Sequence, residues 1–191
     1  TIFNIANTAI FIGFTSHLTR LVEWLVPDRP MKVNESAIPK FLDPVLLSTP
    51  SVALNNVRFE LDRMGDQVVD MLKSGFEAAI HPSAKGMEEV IVRDKSVDAL
   101  HRAIVAYLGR ISSSSRRDED GRDVLRLLEV ANSLEYIGDR VAIDIATSAQ
   151  KRVDEGGKQN FERTANLENI NRNIVDALED AIRAVVQYDS E

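Results

Sequence analysis

Apolar residues in this chain recur every three or four positions and nowhere sustain the alternation of a strand. That period sets the fold class. From position 51 onward Leu54, Val57, Leu61, Met64, Val68, Leu72 and Phe76 trace one face of a helix. His81-Pro82-Ser83 interrupts the pattern, and Ser83 is placed to cap a second helix marked by Met87, Val90, Val97, Leu100, Ile104 and Leu108. Gly109, the serines of 112–115 and the polar run from Arg116 to Gly121 read as an exposed loop. A third helix carries Val124, Leu127, Leu128, Ala131, Leu134, Gly138, Val141 and Ile145, and ends before Gly156-Gly157. A fourth carries Leu167, Ile170, Ile174, Leu178, Ile182 and Val185. Four one-sided helices joined by short polar loops predict an all-α, up-and-down antiparallel bundle over residues 51–187.

Five of the six prolines fall between Pro27 and Pro50, where fixed φ and missing N–H donors exclude a long helix. Residues 27–50 therefore read as a linker. Ahead of it, residues 1–26 form an apolar helix with no formal charge from Ile2 to Thr19. Its length allows a membrane span, and Arg20, Glu23 and Trp24 suit an interfacial exit. Asn4, Asn7, Thr8, Thr15, Ser16 and His17 equally allow an amphipathic helix packed on the bundle. No basic stretch precedes it, so it does not read as a signal peptide. Thr1 rather than Met stands first, and we expect a piece of a longer protein.

The chain has no Cys, which removes disulfides, thiolate catalysis and cysteine zinc sites. A net charge of −7 argues against nucleic acid as a partner, because phosphate contacts need clustered Lys and Arg. No Gly-rich phosphate loop, zinc-protease spacing or paired Glu-x-x-His motif is present, and we expect no enzyme.

The informative acids are those in apolar rows. Six acid-xxx-acid pairs occur where chance gives roughly five, so spacing alone decides nothing. Glu135, however, lies in the row Leu128, Ala131, Glu135, Gly138, Ala142, with Asp139 one turn on. Asp62 lies in a row with Gly65, Val69 and Leu72, with Asp66 one turn on. Asp94 falls between Val90 and Val97, with Asp98 one turn on. A carboxylate in a core must protonate, meet a base or bind a cation. Arg58 and His101 are the nearest bases in these rows. Glu60 and Asp70 read as outer groups of such a site or as exposed acids, and Asp176 and Asp180 as solvated ones.

Leu61-Asp62-Arg63-Met64-Gly65-Asp66-Gln67-Val68 and Leu134-Glu135-Tyr136-Ile137-Gly138-Asp139-Arg140-Val141 lie 73 residues apart and share four of eight positions. A helical Gly costs about 1 kcal/mol against Ala, so its recurrence points to a close approach between helices. Leu134–Asp139 and Leu61–Asp66 resemble the Leu-Glu-Arg-Ile-Gly-Asp signature of the PhoU phosphate-uptake regulators, and Asp94-Lys-Ser-Val-Asp98 resembles their paired acids on another helix. The resemblance covers about residues 51–187. It implies three-helix bundles whose acid-xxx-acid motifs hold metal, iron or zinc among others; this chain looks too short for the two bundles of a full PhoU chain. The N-terminal stretch, Pro27 onward, and Leu42-Asp43 to Thr49-Pro50 are similar to the junction in bacterial sodium/phosphate cotransporters, where the last membrane helix enters a cytosolic PhoU-like domain. The Gln-Ser-Ser repeats of those transporters are absent.

Together these readings predict a metal-binding regulatory domain at the cytoplasmic face of the inner membrane, its partner the transporter portion of the same polypeptide. The expected ligands are Asp62, Asp66, Asp94, Asp98, Glu135 and Asp139, three pairs facing one seam. Oxygen donors favour hard cations such as magnesium, calcium, manganese or ferric iron. His101, one turn beyond Asp98, is a further candidate that would shift preference toward zinc or iron, or else a half-buried polar residue on a helix flank. The alternative is a metal-free helical module whose apolar face docks a partner or forms a homo-oligomer.

Overall fold

The computed structural model describes residues 35–81, 83–114, 118–154 and 161–187; the expected helix of residues 1–26 and the first part of the linker lie outside the described residues. Among the described residues four α-helices follow the apolar pattern: α1 (Pro50–Ile80), α2 (Ala84–Ser114), α3 (Asp118–Asp154) and α4 (Phe161–Gln187). Pro50 opens α1, where its missing N–H is one the first turn leaves unpaired anyway. Ser83 Oγ accepts the Gly86 N–H at 3.0 Å and so caps α2. Among the described residues no helix is long and apolar enough to cross a membrane.

Helices α1, α2 and α3 pack on one another around a single core, with α1 at its centre. Leu61, Met64, Met71, Leu100, Ile104, Leu108, Ile111 and Leu127 are its largest fully buried side chains. Among the described residues helix α4 packs on α1 alone. That arrangement corrects the expected face of α4. Its covered stripe is Val175, Leu178, Ile182 and Val185, while Ile170 and Ile174 stand exposed. A helix with one neighbour can bury only one stripe.

The two glycines of the repeated segment each admit a neighbouring helix. A Cβ on Gly65 would lie 2.6 Å from Ile182 Cδ1 and 2.8 Å from its Cγ1. At Gly138 the nearest atom would be Val97 Cγ1, at 3.4 Å. Gly65 thus seats α4 on α1 and Gly138 seats α2 on α3.

Residues 35–49 run along the bundle as two short 3-10 turns, Glu35–Ala37 and Pro44–Ser48. Leu42, Leu46 and Leu47 pack against the core. Glu60, read from sequence as an outer or exposed acid, is instead 0% exposed. Its Oε2 accepts the backbone N–H groups of Lys40 and Phe41, both at 2.8 Å, and its Oε1 accepts from Arg63. Arg63 and Gln67 also donate to Ser36 O, and Asn56 to Phe41 O. From α2, the Tyr107 hydroxyl donates to Asp43 O at 2.6 Å. Burial raises the Tyr107 phenol pKa, Asp43 adds to the rise and Arg110 opposes it, so the hydroxyl keeps its proton and remains a donor.

Candidate metal centre

Gly138 and Val97 bring α3 and α2 into close contact, and the acids beside them meet across that line. Leu134 and Val97 are buried; Glu135, Asp139, Asp94 and Asp98 flank them, each half-buried. Single carboxylate oxygens of Asp98, Glu135 and Asp139 all lie within 4.8 Å of one another. Asp94 stands beside this triad: burial first, then the charges of Asp98, Asp139 and Glu135, push its carboxyl above the ordinary range, with Lys95 opposing. Among the described residues none of the four is in an ion pair with Lys or Arg.

The bases expected to serve these acids are employed elsewhere. Arg58, almost wholly buried, reaches toward Asp123 at 3.8 Å. His101 Nε2 lies 2.9 Å from Asn132 Oδ1, three residues before Glu135, and stands outside the oxygen triad.

The structure divides the six sequence candidates. Asp94, Asp98, Glu135 and Asp139 gather at the α2–α3 seam; Asp62 and Asp66 do not join them. The cause is the glycine beside each pair. Gly65 receives α4, so Asp62 and Asp66 sit with Asp70 and Glu179 along the α1–α4 line. Asp66 stands at the surface; partial burial, then Asp62, Asp70 and Glu179, raise its pKa, and Lys73 lowers it. Counter-cations are present at this second line, because Lys73 pairs with Glu179 at 3.0 Å and Arg93 with Asp70 at 3.2 Å. Sequence reasoning passed over Glu179, Lys73 and Arg93, since none lies in the repeated segment or an apolar row.

Three oxygens at this spacing suit one shared ion. Calcium holds its oxygens at about 2.4 Å, so ligands on opposite sides of it stand about 4.8 Å apart, and smaller ions need only a slight closure. The donors are all carboxylates, which favours hard cations. Half-buried ligands also leave coordination positions open to water.

Residues 61–149 match the PhoU domain. The matched stretch includes both copies of the repeated segment and all four acids of the α2–α3 seam. The chain is also similar to the "Putative inorganic phosphate export protein YjbB" of Escherichia coli K12, 26% identical over 139 residues. The proteins of that name from Shigella flexneri and Salmonella typhimurium are each 26% identical as well, over 139 and 137 residues. The matched region is 73% of this chain in the Escherichia coli and Shigella cases and 72% in the Salmonella case, and 25% of each relative. The chain therefore spans about a quarter of the length of the curated relatives it matches. No solved structure gives a significant match.

Proposed function

We propose that this chain is the PhoU-like regulatory portion of a membrane protein that moves inorganic phosphate, acting without catalysis of its own at the cytoplasmic face of the inner membrane. In this reading a hard cation at the α2–α3 seam sets its state. The observation that carries it is the oxygen triad of Asp98, Glu135 and Asp139, with Asp94 beside it and no Lys or Arg paired to any of them among the described residues. Four carboxylates held together without counter-cations repel one another, and a bound cation removes that cost. The likeness to a phosphate export protein, and the PhoU domain match over residues 61–149, support the phosphate context.

Helix α2 supplies a route from the ion outward. It carries Asp94 and Asp98 near its middle and Tyr107 nearer its end, and Tyr107 holds the linker backbone at Asp43. Drawing α2 toward α3 would change what Tyr107 presents to residues 35–49, and so to whatever precedes them.

Chelator-free purification with elemental analysis, followed by thermal melts with magnesium, calcium, manganese, zinc and iron, tests the proposal. We expect bound metal and a raised melting temperature that Asp139→Asn abolishes. No bound metal and no shift with any ion would overturn the reading and leave the metal-free interaction module.

A further inference from the structure

We propose that α4 is a flap: it leaves α1 and returns as a unit while α1, α2 and α3 stay folded, and the charges on the α1–α4 line set how firmly it closes. Among the described residues α2 and α3 each pack on two other helices, whereas α4 has only α1. Its contact is narrow. Val175 and Ile182 are its buried apolar side chains, with Leu178 and Val185 partly covered. Open space flanks it on both sides. A cleft of about 410 Å³, floored by Leu72, Phe76 and Ala79 of α1, separates it from α3. A second cavity, of about 610 Å³, lies on its other flank, where Lys73 and Ile80 of α1 face Glu168, Arg172 and Asp176. A helix with few buried contacts and open flanks is the part of a fold that opens first.

The seat is a notch rather than a wide face. The three atoms nearest a Cβ on Gly65 all belong to Ile182, so this notch serves α4 and no other helix. Charge acts both for and against closure. Lys73 of α1 meets Glu179 of α4 at 3.0 Å, but both side chains are about half exposed, and such a pair contributes little. Asp66 works the other way: partial burial, then Asp62, Asp70 and Glu179, hold its carboxyl above the ordinary range. Asp62 and Asp70 share α1 with it and act wherever α4 stands, and Arg93 of α2 already pairs with Asp70 at 3.2 Å. Glu179 repels Asp66 only when α4 is closed. Lifting α4 uncovers the notch at Gly65 and frees the side of α1 that carries Leu72 and Phe76, so each state of the flap presents its own surface. The motion does not rest on a cation at the α2–α3 seam, because among the described residues neither α2 nor α3 touches α4.

Amide hydrogen exchange of the 191-residue chain in chelator, read by mass spectrometry against unstructured-chain rates, tests it. A helix in a protein takes most of its stability from packing, so α4 gives up its amide protons when it lifts. We expect residues 170–182 of α4 to be protected, yet to exchange about a hundredfold faster than residues 97–108 of α2. Ile182→Ala should speed exchange in α4 about tenfold and leave α2 and α3 as they are. Asp66→Asn should slow it about threefold, because the repulsion of Glu179 goes while Lys73 remains. Equal exchange in α4 and α2 would overturn the proposal, since α4 would then open only with the whole bundle. Unprotected amides throughout α4 would overturn it too, since the flap would never close. An Ile182→Ala chain in which α2 and α3 speed up along with α4 would do the same. Unchanged or faster α4 exchange in Asp66→Asn would overturn its electrostatic part.

Discussion

Glu60 and the α2–α3 acids are held in opposite ways. Glu60 is the most deeply buried acid among the described residues, yet two backbone N–H groups and Arg63 meet its oxygens. Asp94, Asp98, Glu135 and Asp139 are only half-buried, yet have each other for company and no paired Lys or Arg among the described residues. Burial alone therefore does not mark a binding acid. A carboxylate whose lone pairs are filled by donors is part of the architecture; a group of carboxylates lacking donors gains stability when a proton or a cation joins it.

The largest effect should come from breaking the satisfied member. Glu60→Ala takes the buried acceptor away from two backbone N–H groups and from Arg63, a cost of about 3 kcal/mol, or a melting temperature lower by about 10 °C in a chain of this size. It should also speed amide exchange at Lys40 and Phe41. Glu60→Gln should fall between wild type and Ala. A melt unchanged in Glu60→Ala would mean that the linker contributes nothing to the bundle.

At the unsatisfied seam the ion should matter nearly as much. At a hundredfold excess over its dissociation constant, a bound cation contributes about 2.7 kcal/mol. Asp139→Asn should remove that gain, whereas Asp66→Asn at the α1–α4 line should keep it. Equal loss in both variants would mean that the two acid groups act as one site and would undo the division drawn between them.

The repeated glycines sharpen the comparison at smaller scale. Gly65→Ala sets a Cβ against both Ile182 Cδ1 and Cγ1, which outweighs the better helix propensity of Ala; we expect a loss of about 1–2 kcal/mol. Gly138→Ala meets Val97 at 3.4 Å, an ordinary contact, and should gain about 0.5 kcal/mol from propensity. Melts of the two variants should therefore move in opposite directions.

Much of this was legible in the sequence. The three-and-four-residue period reports burial on α1, α2 and α3, because each has at least two neighbours and one wide apolar face. It failed on α4, whose apolar residues exceed what one neighbour can cover, so Ile170 and Ile174 read as core while standing in solvent. The acid pairs were visible as polar residues in apolar rows, but which helix each pair faces was not. Asp66 and Asp139 have the same local motif; only the tertiary neighbour of Gly65 or Gly138 separates them. Glu60 was missed because its partners are backbone N–H groups about 20 residues away, and backbone donors leave no mark in a sequence.

The smallest predicted effect tests whether the seam acids are strained without metal. The Asp94 pKa is raised above 3.8, so the folded chain binds that proton more tightly than the unfolded chain does. An acid shifted this way favours folding below 3.8, and that advantage is lost as pH rises through its higher folded value. At neutral pH the charged Asp94 is a liability, and Asp94→Asn should raise the metal-free melting temperature by about 1–2 °C. Below pH 3.8, where both states carry the proton, wild type and variant should melt together. Saturating cation should invert the order at neutral pH, because the same change removes a negative charge beside the ion. A variant less stable than wild type at neutral pH in chelator would show that Asp94 has a favourable partner in the metal-free chain, and the contrast with Glu60 would collapse.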